Sequence, residues 1–337
     1  MAQQQLQYAK DQPAGFKNRV ENIAIVGVGG RIGKHLTEAL LKTGKHKITA
    51  LTRPESTTKP ADGLVVRKVD YNDPAALVDA LRGKDVLIIT MAVMAPKEVQ
   101  SNLINAAAEA GVAWVMPNEY GIDKTNASLA KDVLIAEPLI KTCEYIESLG
   151  LSWIGLTCGF WYEFSLAGEE CRYGFDFTTK TVTFFDEGTT KINTSTWNQC
   201  GRAVASLFSL KVLPEDAHDT SPSLSRFRNK SVYISSFLVS QRDMLASVLR
   251  VTSAGDDDWT IKHENTQERY KKAVEDMQKG EMSGFVRLLY TRVFYRDGGG
   301  DYESAKGTAN TLLGLPGEDL DEATRRAVEM AESGEPV

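Results

Sequence analysis

Few residues in this sequence are placed to hold a metal. Its four histidines, His35, His46, His218 and His263, are far apart, and none stands one helical turn from another as a zinc-binding helix requires. The four cysteines, Cys143, Cys158, Cys171 and Cys200, form no Cys-x-x-Cys pair and read as reduced, mostly buried thiols of an intracellular protein. No metal is expected. Basic residues gather into no stripe and the net charge is −6, which argues against nucleic acid as a partner. No apolar run is long enough to cross a membrane, and the opening MAQQQLQYAKDQPAGF has no secretory pattern, so a cytoplasmic location is expected. A Gly-x-Ser-x-Gly elbow is missing, which removes the usual α/β serine hydrolase.

What is present is an alternating rhythm. The 337 residues suit one large domain or two unequal ones. From Asn22 to Gly121, short β-branched runs alternate with longer amphipathic ones. Strands are read at 23–26, 47–52, 64–69, 85–90, 113–116 and 152–157, and helices at 32–43, 74–81, 99–110 and 135–148. This alternation predicts an α/β fold: a Rossmann-type doubly wound parallel sheet with helices on both faces. After Thr157 the pattern becomes mixed, with strands and turns over 172–190 and helices at 197–210, 241–251 and 266–279. The expected organisation is a flexible arm over 1–18 and a dinucleotide-binding domain over 19–158. A smaller α+β substrate domain over 159–337 interleaves with the last strands of the sheet and ends in a surface helix.

The segment IAIVGVGGRIGKHL sets Gly27, Gly30 and Gly33 between a strand and a helix. A sharp turn off a strand needs a residue without Cβ, a pyrophosphate needs close backbone approach, and free N–H groups at a helix start meet its charge. A mononucleotide P-loop fails, since Lys34 is followed by His35 instead of Ser or Thr. The second strand ends at Thr52 and runs into Arg53, with Ser56 and Lys59 beyond. A carboxylate here would take the ribose hydroxyls of NAD, whereas an arginine matches a 2′-phosphate, so the expected cofactor is NADPH. The site is expected to comprise Gly27, Gly29, Gly30, Arg31, Ile32 and Gly33 of the turn, with Arg53, Ser56 and Lys59. Met91 and Ala92 after the fourth strand, and Asn118 and Glu119 after the fifth, complete it.

These residues resemble the isoflavone-reductase-like and NmrA-like branch of the atypical short-chain dehydrogenases, in a fungal-type form. The carriers are VGVGGRIGK, the strand ending LTRPES, VDYNDPAALVDALRGKDVLI, SNLINAAAEAGV and MPNEYGID, and the likeness continues to about residue 250. The resemblance implies an NADP-binding domain and a smaller C-terminal domain with substrate between them. Its members include reductases of phenolic and polyketide-like compounds and also dinucleotide-binding regulators. The leading expectation is an NADPH-dependent reductase of a small aromatic or carbonyl-bearing metabolite such as a phenol, quinone or polyketide. The alternatives are a non-catalytic NADP(H) sensor and, less directly, an isomerase on the same fold. A monomer or a homodimer fits equally.

Hydride transfer usually needs a proton donor as well. In reductases that the sequence resembles, a lysine precedes the sixth strand. Counting back from Ile146 and Glu147, that position is Leu139, and the nearest lysine is Lys141. Two residues are about 200° apart around a helix, so Lys141 serves only if the helix is offset. Tyr120 and Lys124 match a Tyr-x-x-x-Lys pair in spacing, yet Gly121 favours a loop over the helix that such a pair requires. Candidate catalytic residues are thus Lys141, Tyr120 and Lys124. Phe160, Trp161 and Tyr162, with Phe164, form either an aromatic substrate wall or a core joining the two halves.

Overall fold

The computed structural model describes residues 8–333 other than 58, 60, 93 and 94. Strand β1 (Asn22–Val26) is the apolar run NIAIV, buried on both faces, as the centre of a parallel sheet demands. Its side chains alternate. Ile23 and Ile25 pack with Leu36 and Leu40 of α1 (Arg31–Lys42), while Ala24 and Val26 face the opposite layer. The chain then forms β2 (Lys47–Thr52), β3 (Val65–Lys68), α2 (Pro74–Leu81), β4 (Val86–Ile89), α3 (Lys97–Ala110) and β5 (Trp114–Met116). Local chemistry fixes the ends. Asp73 caps α2 by accepting from the Ala76 N–H, Pro74 opens it, and Gly111 closes α3 in a left-handed conformation.

Beyond β5 come a short extension, β6 (Tyr120–Gly121), α4 (Ala127–Asp132), α5 (Ala136–Ser148) and β7 (Ser152–Thr157). The C-terminal half contributes β8 (Phe160–Trp161), α6 (Tyr162–Leu166), β9 (Phe175–Asp176), β10 (Thr181–Phe185), β11 (Ile192–Ser195) and α7 (Trp197–Phe208). It continues through β12 (Lys230–Tyr233), β13 (Phe237–Val239), α8 (Gln241–Thr252), β14 (Thr260–Glu264), α9 (Thr266–Gln278), α10 (Met282–Val293), α11 (Tyr302–Lys306) and α12 (Leu320–Ser333). The main sheet has the order β12-β7-β5-β4-β1-β2-β3, all parallel, with β6 beside β7. The order reverses at β1 and β4, so the crevice beyond their carboxyl ends is where an open α/β sheet binds ligands. The Rossmann-type sheet is the one that the strand and helix alternation predicts.

Helix α7, from the C-terminal half, covers one face of this sheet beside α1, and β12 lies parallel to β7 at its edge. Two small sheets, β14-β10-β9 and β13-β11-β8, enclose a second core rich in aromatics, among them Tyr173, Phe175, Phe184 and Phe294.

Two expectations are corrected here. Residues 8–18 of the arm lie against the loop after α7: the Ala9 N–H donates to the Pro214 carbonyl (2.8 Å) and the Leu213 N–H to Asn18 Oδ1 (2.7 Å). Residues 1–7 lie outside the described residues. The last helix is also more than a surface element. Ala323, Ala327 and Val328 of α12 are buried, Ser247 on α8 bonds Asp321 and Thr324, and Tyr162 on α6 bonds Thr324.

Candidate functional site

The glycine turn is built by three glycines with different tasks. Gly27 has φ +83°, and a Cβ there would lie 1.7 Å from the Thr90 carbonyl oxygen. On Gly33 a Cβ would lie 2.1 Å from the Gly27 carbonyl oxygen and 2.6 Å from Thr90 Oγ1. Both are therefore steric requirements of packing β1, α1 and β4 together. Gly30 is the N-cap of α1, donates its N–H to the Gly27 carbonyl (2.9 Å), and has no side chain with which to cap the helix. The N–H groups of the first turn consequently face the crevice, the arrangement that receives a phosphate. Gly29, Gly30 and Arg31 are exposed at its rim, whereas Ile32 is buried in the core and offers the crevice only its backbone.

At the end of β2, Arg53 is 66% exposed and pairs with Glu55 at 3.3 Å. A pair this exposed is weak and yields to a stronger anion. Arg53 accepts at its carbonyl from the Ser56 N–H, and Lys68 on β3 donates to the Pro54 carbonyl (3.0 Å). Sequence reasoning missed Lys68, because no local pattern tells which cation of β3 reaches the neighbouring turn. Lys59 is exposed nearby in sequence.

Asn118 ties two strand ends together. Its side chain accepts from the Met91 N–H (3.0 Å) and donates to the Met91 carbonyl (3.1 Å), while its own N–H donates to Gln100 Oε1. The side-chain amide thus sets the backbone after β4 instead of reaching for a ligand, and Met91 and exposed Ala92 provide backbone and side chain there.

Glu119 turns the other way, which corrects its placement at the cofactor. Its carboxylate is 2% exposed and meets Lys124 Nζ at 2.5 Å, with Lys124 itself 3% exposed. Lys124 also donates to Cys143 Sγ and lies 4.2 Å over the Trp153 ring. Gly155 makes room, since a Cβ there would meet Glu119 Oε1 at 2.7 Å. That glycine in the middle of the strand was the available signal for a close approach. Burial, then the nearby Glu119 charge, pushes the Cys143 thiol up to about 12.

The proton-donor candidates are also corrected. Tyr120 stands on extended β6, so its side chain and that of Lys124 do not stack, and its hydroxyl donates to the Ile89 carbonyl (3.1 Å). Burial, then Cys158 and Glu119, pushes its phenol well above the ordinary range. Lys141 is 68% exposed and pairs with Glu137 one turn away on α5, while Cys143 and Ile146 form the buried stripe. The helix is not offset. Lys124 is thus buried in its pair with Glu119, Lys141 is exposed on α5, and the Tyr120 hydroxyl is engaged at the end of β4.

Among the aromatics, Tyr162 is wholly buried with its hydroxyl 2.7 Å from Thr324 Oγ1, and Phe160 stacks on Tyr290 at 4.0 Å. Tyr162 belongs to the core of the C-terminal half, and half-buried Phe160 packs against that core. Trp161 is different. With Phe164 (5.8 Å) and Trp197 (6.1 Å) it makes a half-exposed aromatic cluster, joined by His35 of α1 stacked on Trp197. Arg31 of the glycine turn lies 4.8 Å from the Phe164 ring, so this cluster borders the turn itself. Trp197 and His35 were missed because the contact joins residues far apart in sequence.

A further polar cluster crowns β6. Asp123, buried, accepts from Lys306 Nζ (2.5 Å), Thr125 Oγ1 (2.8 Å) and Tyr233 OH (3.0 Å). Burial alone would raise its pKa, but the bonds from Lys306 and Thr125 outweigh that and hold it low. Among the described residues no group of three His, Cys, Asp or Glu is placed to hold a metal, and no helix is long and apolar enough to cross a membrane.

The turn, the strand order and the small second half agree with known proteins. A sequence model of the NmrA-like family matches residues 19–167. Over that stretch the chain is similar to the NmrA-like family. Oxidoreductase aprR of Aspergillus flavus is 28% identical over 89% of this chain and 96% of its own length. Isoflavone reductase homolog IRL of Zea mays is 32% identical over 43% of this chain and 50% of its own. The NADPH complex of the quinone oxidoreductase QOR2 of Escherichia coli has the same fold, with a TM-score of 0.64 at 21% identity over 90% of this chain and 98% of that one.

Proposed function

We propose that this protein is an NADPH-dependent reductase of a small aromatic or carbonyl-bearing metabolite, with quinones the first class to examine. The observation that carries the reading is the glycine turn opening onto Arg53. The first-turn N–H groups of α1 receive the pyrophosphate, and the Arg53 guanidinium exchanges Glu55 for a 2′-phosphate. Bound there, the cofactor supplies a hydride. Asn118 holds the Met91 backbone against which the nicotinamide half would rest. Trp161, Phe164 and Trp197 border the crevice with flat apolar surface suited to an aromatic substrate. The names of the relatives, oxidoreductase, isoflavone reductase homolog and NADPH-bound quinone oxidoreductase, point the same way. With Tyr120, Lys124 and Lys141 directed elsewhere, solvent in the crevice supplies the proton that follows the hydride. The reaction is assigned to the cytoplasm, where thiols such as the four free cysteines stay reduced.

The test is NADPH oxidation, followed by absorbance, against quinones, phenolic enones and aromatic ketones. Turnover of at least one class, faster with NADPH than with NADH, is the expected result. Tight NADPH binding with no turnover across the panel would overturn the reductase reading in favour of the sensor.

A further inference from the structure

Strand pairing brings Lys68 to the turn after β2. It is the last residue of β3, and in the parallel register it stands opposite Thr52, the last residue of β2, where the chain passes into Arg53. Successive side chains on a strand take opposite faces. Arg67 accordingly goes to α2, where its guanidinium meets Asp79 at 2.8 Å. Lys68 goes the other way, and its Nζ donates to the Pro54 carbonyl (3.0 Å). That bond uses one of the three N–H donors of the ammonium, on a neutral acceptor. Arg53 and Arg67 each have a carboxylate partner, Glu55 and Asp79, whereas among the described residues Lys68 enters no ion pair.

The charge of the turn says what this cation is for. Arg53 and Glu55 sum to zero, and an exchange of partners frees the guanidinium while the Glu55 carboxylate stays in the same turn. A 2′-phosphate brings about two negative charges near pH 7. One guanidinium beside one carboxylate gives it no net attraction, so preference for the phosphorylated cofactor needs a further cation within reach. Lys68 is tied to the turn at Pro54, and an ammonium on a flexible stem can turn from that carbonyl to an anion. We infer that Lys68 is a second cation for the 2′-phosphate and that it sets cofactor choice together with Arg53. This rests on the NADPH reading above and adds to it a residue of β3, outside the strand whose end carries Arg53.

The experiment measures the affinity of the full chain and of its Lys68→Met variant for NADPH, NADH and adenosine 2′-monophosphate at one ionic strength. Loss of a charge-assisted contact predicts roughly tenfold weaker NADPH binding in the variant, with NADH binding within about twofold and an unchanged melting temperature. NADPH affinity that stays within about twofold, or equal weakening of NADPH and NADH, overturns the role of Lys68 and leaves the NADPH reading intact. Should the unmodified chain bind adenosine 2′-monophosphate through Lys68 but neither dinucleotide, the dinucleotide reading fails and the phosphate contact stands. If none of the three binds, both fall. Where Lys68→Met fails to fold, acetic anhydride labelling of the unmodified chain decides. NADPH should protect Lys68 from acetylation and NADH should not, whereas equal protection by both, or protection by neither, overturns the inference.

Discussion

Gly27 and Gly33 show how much a single hydrogen in place of a methyl can decide. Gly27 is left-handed and touches the Thr90 carbonyl, and Gly33 touches the Gly27 carbonyl, so both contacts are with backbone that cannot swing aside. Gly27→Ala should cost about 2 to 5 kcal/mol, combining left-handed strain with overpacking, and urea unfolding measures it. Gly30→Ala, with φ −76° and its nearest contact at 3.2 Å, should cost far less. Lys141 makes the opposite case. It pairs with Glu137 on an exposed face, and Lys141→Ala should leave turnover unchanged in the NADPH oxidation assay. The glycines were legible in the sequence because strand, turn and helix all agree around them. The same helix count already turned Lys141 away from the buried stripe, and the structure keeps it there.

Among the elements, β6 and the loop after it were the least legible. The sequence offers Tyr120 and Lys124 at a suggestive spacing, but spacing becomes contact only in a helix, and here the backbone is extended. The lysine instead closes a buried pair with Glu119, under Trp153 and against Cys143. Removing one partner strands a charge. Lys124→Met should destabilise the chain by about 3 to 5 kcal/mol in chemical denaturation, whereas replacing Glu119 and Lys124 together by apolar residues of similar volume should cost much less. Similar costs for the single and double replacements would show that the pair is not what the charges need. Cys143, with its thiol pushed up to about 12, should resist alkylation at pH 8 in the folded protein.

Over the whole molecule, the parallel sheet could be read from hydrophobic alternation, since buried strands and amphipathic helices carry their periods locally. How the C-terminal half attaches could not. Helix α7 covering the sheet, β12 joining its edge, and α12 fastened to α6 and α8 all depend on contacts between distant residues. One of these fasteners titrates. Hydrogen bonds from Arg250 and then Ser247 lower the Asp321 pKa from 3.8 to about 2. A carboxylate whose folded pKa is depressed stabilises above its unfolded value, so this contribution is present at pH 5 and lost as the pH falls from about 4 through 2. Asp321→Asn should flatten that part of the stability profile, measured as melting temperature against pH.

The account's central claim is that the glycine turn and Arg53 form an NADPH site. It is tested most directly by calorimetric titration of NADPH and NADH into the unmodified chain and into Arg53→Glu. NADPH should bind at least about tenfold more tightly than NADH to the first, and the glutamate should abolish or reverse that preference by repelling the 2′-phosphate. Equal or tighter binding of NADH to the unmodified chain, or an Arg53→Glu variant that still prefers NADPH, would contradict it.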